Sequence, residues 1–289
     1  MKSISEIGRA FNAHAREYEC EADVQLEIGQ RLFARLDYLK IEPRYILDVG
    51  CGPGVFLMKL QQRYPAAQIV AIDIAHTMLA MAKAKQNLDN PWSLFNADMH
   101  RMPFATGQFD LIFSNQVLHW THSLPAVLGE WQRVLSPGGC LLFSTLGPDT
   151  FQELKQAFQQ VDAYEHVNTF HDMHHVGDCL LTQLFEDPVV DMEFLSAHYS
   201  SLASMLRSLK AQGVKNIHEK RKPGLTGKDS WRKFEQYMAL TQTVHHKYPL
   251  TYEVVYGHAW KSRHQRVQHG GETTISVAEL KASLPSQRA

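Results

Sequence analysis

The sequence has few cysteines, no long apolar run and almost no excess of charge. It contains 4 cysteines in 289 residues, and no two of them are spaced as C-x-x-C. Disulfide frameworks are typical of short secreted chains dense in cysteine, so we expect four free thiols in a reducing compartment. No stretch reaches the roughly 18 apolar residues of a membrane span, and the first residues have no apolar core of signal-peptide length. We therefore predict a cytoplasmic protein without a membrane segment.

The charge balance argues against nucleic acid and anionic membranes as partners. Lys and Arg number 29 against 30 for Asp and Glu, which leaves a formal net charge of −1. No overall charge attracts the chain to nucleic acid or to an anionic membrane, so we predict neither as a partner. One segment departs from the balance, because residues 207–233 contain nine Lys or Arg and only two acids. Such a segment is either a solvated surface or a docking site for an acidic partner.

Short apolar segments alternate with helical patterns in the first half of the chain. This alternation predicts a parallel sheet with helices on both faces, an α/β fold of the Rossmann-like kind. The predicted strands are residues 45–49, 68–73, 92–96, 109–113 and 140–145. After residue 146 the alternation stops, and we expect helices at 151–161, 202–212 and 231–248, with further strands at 189–199 and 252–260.

This pattern divides the chain into four parts. We predict an N-terminal helical cap, a Rossmann-like core, a C-terminal half that completes the sheet and carries an inserted helical lid, and a flexible tail with a short helix at 277–284. Their respective bounds are residues 1–40, 41–146, 147–262 and 263–289.

A glycine loop is the strongest local signal. Asp48-Val49-Gly50-Cys51-Gly52-Pro53-Gly54 follows a strand and precedes a helix. Glycines allow a tight turn and the close approach of a ligand. A carboxylate two residues before the first glycine would repel a pyrophosphate but suits a cation, such as the amino group or sulfonium of S-adenosylmethionine (SAM). Asp73 ends the second strand, where a carboxylate can accept both ribose hydroxyls. The alternative is a glycine-rich helix start without a ligand.

Weaker candidates follow the other strands. Asp98 comes after the third strand and is either an adenine-binding acid or a turn cap. Tyr18 either closes over the cofactor from the N-terminal helix or only packs. If the ligand is SAM, His119 and Trp120 line the pocket around its methyl group in our interpretation, although a lone histidine is more often a core residue. His171, His174 and His175 have helical spacing, but no Cys or Glu completes a metal set, so we predict no metal site.

Together these residues resemble the class I SAM-dependent methyltransferases. The matching run extends from Ile46–Gly54 through Asp73 and Asp98 to Phe109–Asn115, and it closes at Leu135–Gly139. The resemblance implies a mostly parallel seven-stranded sheet whose last strand, at 252–260, is antiparallel. It also implies the cofactor-binding set Tyr18, Asp48, Gly50, Cys51, Gly52, Gly54, Asp73, Ile74, Asp98, Met99 and Asn115. Ser114-Asn115-Gln116-Val117 lacks the D/N-P-P-Y/F pattern of enzymes that methylate amino groups.

The later part of the chain narrows the resemblance. The strings His166-Val167-Asn168, Gly224-Leu225-Thr226-Gly227 and Pro249–Val254 resemble the family of malonyl-acyl-carrier-protein O-methyltransferases of biotin synthesis. This resemblance implies methylation of the free carboxylate of a malonyl thioester, on acyl carrier protein or coenzyme A. It implies that Arg221 binds that carboxylate and that segment 207–233 docks the carrier protein. A carboxylate is ionised at pH 7, so no catalytic acid or base is predicted. Gln183-Leu184-Phe185 departs from the family pattern, which is closer to a small residue, Gly and Phe.

Three other functions remain open at this point. One is a relative on the same fold that hydroxylates a protein arginine during respiratory-complex assembly, and another is a different small-molecule methyltransferase. The third is a binding module that keeps the fold without catalysis. The strings within 168–181 and 213–227 argue against the first, and the intact Asp48, Gly50, Asp73 and Asp98 argue against the third.

Overall fold

A seven-stranded sheet forms the centre of the protein. The computed structural model describes residues 4–86, 91–212, 224, 227–263, 267–269 and 272–274. The strands are β1 (Tyr45–Val49), β2 (Gln68–Asp73), β3 (Ser93–Asn96), β4 (Phe109–Asn115), β5 (Leu135–Leu146), β6 (Phe185–Tyr199) and β7 (Tyr248–Lys261). Their order is β3-β2-β1-β4-β5-β7-β6. β7 is antiparallel to both of its neighbours and every other pair is parallel, so the predicted sheet with an antiparallel last strand is confirmed.

Helices surround the sheet. The described ranges contain α1 (Ile4–Glu21), α2 (Asp23–Ala34), α3 (Val55–Arg63), α4 (His76–Ala84), α5 (Leu124–Val134), α6 (Gln152–Gln159), α7 (Met173–Thr182), α8 (Leu202–Ala211) and α9 (Lys228–Leu240). Two 3₁₀ turns lie at Arg35–Tyr38 and Leu118–Trp120. None of the helices in these ranges is both long and apolar enough to cross a bilayer.

The core lies on both faces of the sheet, because the inner strands are apolar on both sides. Ile46 and Leu47 are neighbours in β1, yet they belong to different buried clusters. The cluster that contains Ile46 includes Leu57 of α3, and the cluster that contains Leu47 includes Trp131 of α5. All of these side chains are fully buried. Helices pack against both faces of the sheet and so hold the strand ends in place. The candidate site lies at those ends.

Three parts of the fold differ from expectation. The helix predicted to reach Tyr248 ends at Leu240, because a turn follows in which His246 has a left-handed φ of 56° and Thr243 N–H donates to Lys247 O. Helix α7 was not predicted, although Asp172 caps it by accepting a hydrogen bond from His175 N at 2.9 Å. β8 (Val267–His269) and β9 (Glu272–Thr274) pair where we expected a flexible tail. The predicted helix at 277–284 lies outside the described residues.

The strand order reverses next to β1, which lies between β2 and β4. Ligands of open α/β sheets bind in the crevice at such a reversal, at the carboxyl ends of the strands. Three predicted site residues meet at this edge, since Asp48 is the penultimate residue of β1, Asp73 ends β2 and Asn115 ends β4.

Candidate active site

The glycine loop has left-handed backbone at all three glycines. The φ angles of Gly50, Gly52 and Gly54 are 73°, 53° and 81°. A β-carbon at Gly50 would lie 2.2 Å from Cγ2 of Val117, and one at Gly54 would lie 2.8 Å from Cβ of Ala82. At Gly52 a β-carbon would meet no described atom within 4 Å. Gly50 and Gly54 therefore allow close packing inside the protein, whereas Gly52 faces open space where a ligand can approach.

Asp73 fixes the loop to the next helix. One carboxylate oxygen accepts the N–H of Gly52 at 2.9 Å, and the other accepts the N–H of Ala75 at 2.8 Å, directly before α4. Burial raises the pKa of Asp73 to about 6. Burial, and then the charge of Asp73, raises the pKa of Asp48 to about 8. Two carboxylates held together out of water favour a cationic ligand, which would stabilise their ionised forms.

A cavity of about 760 Å³, including its open mouth, lies over these strand ends; we call it the glycine-loop cavity. Among its lining residues are eight of the predicted cofactor-binding set, namely Tyr18, Gly50, Gly52, Asp73, Ile74, Asp98, Met99 and Asn115. Asp48 and Cys51 line an adjoining cavity on the other side of the loop. Gly54 lines neither cavity, because it packs against Ala82.

The helical cap closes one side of the glycine-loop cavity. The side chain of Asn12 in α1 accepts the N–H of Thr77 at 2.9 Å, at the start of α4. Lys85 donates to the carbonyl of Pro53 at 2.9 Å and pairs with Glu19 of α1. Tyr18 of α1 lines the cavity, and burial is the main reason that its pKa is raised, followed by the charge of Asp73. The cap is thus hydrogen-bonded to the elements that carry the loop.

Asp98 belongs to a hydrogen-bonded chain at the far side of the cavity. Its Oδ1 accepts the N–H of His100 at 2.9 Å and lies 2.7 Å from Nδ1 of the same ring. Nε2 of His100 lies 2.9 Å from Oγ1 of Thr121. The loop after β3 is therefore fixed to the segment after β4, and Asp98 is held by this chain in the lining of the cavity.

A second cavity of about 460 Å³ opens beside the first; we call it the aromatic cavity. Phe11, Tyr18, Gln116 and Trp120 line both cavities. The rings of Phe11 and Trp120 meet edge to face at 5.3 Å. The other residues of the aromatic cavity are Gln25, His119, Leu146, Phe151, Asn168, Phe170, Gln212 and Tyr252. Burial lowers the pKa of His119 to about 3, so its ring is neutral near pH 7.

The remaining sequence-based candidates are Arg221 and the histidines near α7. Arg221 is outside the described residues, so its role stays a prediction. The rings of His171 and His175 stack with centroids 4.7 Å apart at the start of α7, and His175 lies 3.6 Å from the sulfur of Cys179. Over the ranges that the structure describes, no group of three His, Cys, Asp or Glu side chains is placed to hold a metal ion.

Sequence reasoning missed several lining residues. Gln116 follows β4 with a left-handed φ of 60° and lines both cavities. A glutamine after a strand is too common to signal a site, so nothing in the sequence indicated it. His100 had a detectable signal, because it follows Asp98 by two residues and short polar side chains of this spacing often bond within a turn.

Comparison with known proteins decides the family. A model of the methyltransferase domain matches residues 47–143. The malonyl-[acyl-carrier protein] O-methyltransferase of Legionella pneumophila is 54% identical over 280 residues, covering 97% of this chain and 99% of that protein. The enzyme of the same name from Gallionella capsiferriformans is 41% identical over 93% of this chain and 94% of its own length. The chain belongs to the malonyl-[acyl-carrier protein] O-methyltransferase family.

Solved structures agree on the fold of this family member. The YcgJ protein of Bacillus subtilis aligns with a TM-score of 0.58 at 12% identity, covering 81% of this chain and 98% of its own. A methyltransferase of Bacillus halodurans, described as putative, aligns with a TM-score of 0.57 at 17% identity, covering 81% and 99%. At these identities the likeness concerns the fold alone. The class I methyltransferase family and fold predicted from the sequence are confirmed.

Proposed function

We propose that the protein transfers the methyl group of SAM to the free carboxylate of malonyl-acyl-carrier protein in the cytoplasm, giving the methyl ester. The observation that carries this proposal is the 54% identity to a relative of that name over almost the full length of both chains. The paired cavities support it, since the reaction needs a site for the donor and a site for the acceptor side by side.

The residues of the glycine-loop cavity, and of the adjoining cavity that Asp48 lines, fit the donor. When bound, SAM supplies a methyl group activated by its sulfonium charge. Asp48 and Asp73 are buried carboxylates whose raised pKa values favour a cationic neighbour. Gly52 leaves open space on the side from which we propose that the ligand approaches. Asp98 lines the same cavity, and we propose that it accepts from an adenine amino group. A solved neighbour with a TM-score of 0.52, an N-methyltransferase of Haemonchus contortus, contains S-adenosylhomocysteine.

The aromatic cavity suits an acceptor that is already charged. A carboxylate has a pKa near 4, so it needs no base to become a nucleophile at pH 7. The described lining offers no strong base, because the pKa of His119 is lowered to about 3 by burial. The chain then contributes positioning, which alone can supply several kcal/mol. It also excludes water from the nucleophile, through the rings of Phe11, Trp120 and Phe170.

A third cavity extends the acceptor site toward a basic surface. This outer cavity shares Phe151, Asn168 and Phe170 with the aromatic cavity, and Lys210 of α8 lines it. Lys210 belongs to the basic segment 207–233, much of which lies outside the described residues. We propose that the pantetheine arm lies along the outer and aromatic cavities while the basic segment contacts the acidic carrier protein. Arg221 is proposed to bind the malonyl carboxylate through its guanidinium fork.

The activity is tested by incubating the protein with methyl-labelled SAM and malonyl-acyl-carrier protein. We expect label in a base-labile methyl ester on the carrier protein, and a parallel reaction with malonyl-coenzyme A measures how far the carrier matters. Labelled SAM that remains unchanged with both acceptors contradicts the proposal. Label found instead in another small molecule would favour a different methyltransferase.

The role of Arg221 has its own test. Arg221→Ala should raise the KM for malonyl-acyl-carrier protein while the Kd for SAM stays unchanged. Arg44→Ala is the control, because Arg44 is an exposed arginine outside the basic segment and the hydrogen bond from its backbone N–H to Asp110 does not depend on its side chain. An equal loss of SAM affinity in the Arg221 variant would refute the assigned role.

A further inference from the structure

Gln116 lies where the glycine-loop and aromatic cavities meet. Its φ of 60° falls in the left-handed region that residues with a β-carbon rarely adopt. Its N–H donates to the carbonyl oxygen and to Oγ of Ser144, at 3.1 and 3.0 Å, so β5 holds this conformation in place. Backbone strain maintained in a cavity wall is typical of residues that orient a ligand.

The side-chain amide of Gln116 is buried without a partner. Its Nε2 has no hydrogen-bond acceptor among the described residues, and the same is true of Nδ1 of His119, which lines the same aromatic cavity. Leaving a buried donor unsatisfied is costly, and a hydrogen-bond acceptor that met Nε2 after the side chain rotated toward the cavity would recover that cost. The preceding Asn115 is not available, because its amide donates to Gln25 O and its oxygen accepts from Ser144 Oγ.

The aromatic cavity is also uncharged over its described lining, which contains no Lys, Arg, Asp or Glu. The described residues would therefore contribute neutral donors to a carboxylate there, and these would orient the anion beside the guanidinium proposed for Arg221. The described residues thus supply the amide donor of Gln116 and, when its ring is protonated at Nδ1, a second donor from His119, in a cavity next to that of the methyl donor.

We propose that the side-chain amide of Gln116, with Nδ1–H of His119 beside it, binds the malonyl carboxylate and directs one oxygen at the donor methyl group. This inference rests on the proposed function and names the residue that sets its acceptor geometry. The carboxylate oxygen forms the new O–C bond as the S–C bond breaks, and the electron pair of that bond remains on sulfur as a neutral thioether. No proton is transferred, which agrees with the absence of a strong base in the described lining.

The test is Gln116→Glu, which keeps the shape and replaces the donor with an acceptor. We expect kcat/KM for malonyl-acyl-carrier protein to fall roughly 100-fold, mainly through KM, with the Kd for SAM within about twofold of the unsubstituted value. A malonamyl thioester, whose terminal amide replaces the carboxylate, should become a better inhibitor of the variant than of the unsubstituted protein. Gln61→Glu is the matched control, because Gln61 also has a buried unpartnered side-chain oxygen but lies in α3, and it should change none of these values.

Gln116→Gly guards against a folding defect, because glycine adopts the same φ without strain while the whole side chain, amide included, is removed. It should retain SAM binding and show the same loss of malonyl binding. A raised Kd for SAM with an unchanged malonyl KM in Gln116→Glu would assign the amide to the donor's own carboxylate and overturn the inference, as would no change in either. If the unsubstituted protein forms no ester, the proposed function fails and this inference with it; if protein and variant form ester equally, only this inference fails.

Discussion

The glycine-loop and aromatic cavities use left-handed backbone in different ways. In the glycine loop, positive φ angles fall on Gly50, Gly52 and Gly54, so the tight turn costs little strain. In the aromatic cavity, positive φ angles fall on Gln116 and Phe151, which both have side chains that line the cavity. The donor side therefore uses backbone shape and open space, and the acceptor side accepts strain in order to place particular side chains. Substitutions in the lining of either cavity test this contrast.

The largest effects are expected in the glycine loop. Gly50→Ala should lower stability and abolish donor binding, because its β-carbon would lie 2.2 Å from Val117. Gly52→Ala should fold with only the roughly 1–2 kcal/mol cost of a left-handed alanine, since it meets no described atom within 4 Å. It should still weaken SAM binding by roughly 100-fold, because the new methyl group occupies the ligand's approach. Thermal unfolding and SAM titration of both variants measure the two effects separately.

The pair also defines what would contradict this account of the loop. If Gly52→Ala bound SAM normally, the open space at Gly52 would not be the ligand's side of the loop. If Gly50→Ala unfolded at the normal temperature, the packing against Val117 would not matter for the fold.

A second prediction concerns charge on the donor side. The pKa of Asp48 is raised to about 8 without ligand, and a bound cation lowers it, so donor binding releases a proton below pH 8. The Kd for SAM should therefore fall as pH rises from about 6.5 to 8 and then become constant. Asp48→Asn should remove this dependence and weaken binding at pH 8.5. Calorimetric titration in buffers of different ionisation enthalpy measures the released proton.

The same residue affects stability with the opposite sign. Because the folded pKa of Asp48 lies above the unfolded value, the unliganded protein loses stability as pH rises from about 4 to 8. Asp48→Asn should therefore stabilise the unliganded protein at pH 8.5, by roughly 1–3 kcal/mol. A variant that is less stable at that pH would show that the carboxylate is compensated in the fold.

The contrast between the cavities also explains which residues could be predicted. Asp48 and the three glycines lie within seven residues of sequence, and Asp73 follows at the end of the next strand, so local pattern and strand order were enough. Gln25, Gln116, Phe151 and Gln212 come from four distant elements and meet only through the tertiary fold. Their residue types are ordinary. The features that mark Gln25, Gln116 and Phe151, a positive φ or an unpartnered buried atom, do not exist before the chain folds.

A third, smaller effect is expected where the cap meets α8. Gln212 is buried, accepts from Nε2 of Gln25 at 3.0 Å and donates to Glu21 O at 2.9 Å. The carbonyl of Gln25 in turn accepts from Asn115, so this chain of bonds connects α8 and the cap to β4. Gln212→Ala should lower stability by about 1–2 kcal/mol and raise the malonyl KM several-fold, with a smaller effect on SAM. Ser208→Ala removes only a 3.1 Å bond to Gln212 and is the control. Equal changes for both substrates would show that the contact does not favour the acceptor side.

The smallest effect tests the contrast, because it concerns a strained residue that lines neither of the two cavities. Leu184 has a φ of 61° between α7 and β6. It lines neither the glycine-loop nor the aromatic cavity, and its side chain is only partly buried. Leu184→Gly should relieve the strain and raise the free energy of unfolding by about 0.5–1 kcal/mol, leaving both substrates' binding unchanged. Gln116→Gly relieves the same kind of strain, yet it should lose malonyl binding. If both glycine variants kept full activity, the strain at Gln116 would have no more functional role than that at Leu184. Denaturant unfolding measures the stability of each variant, and ester formation measures its activity.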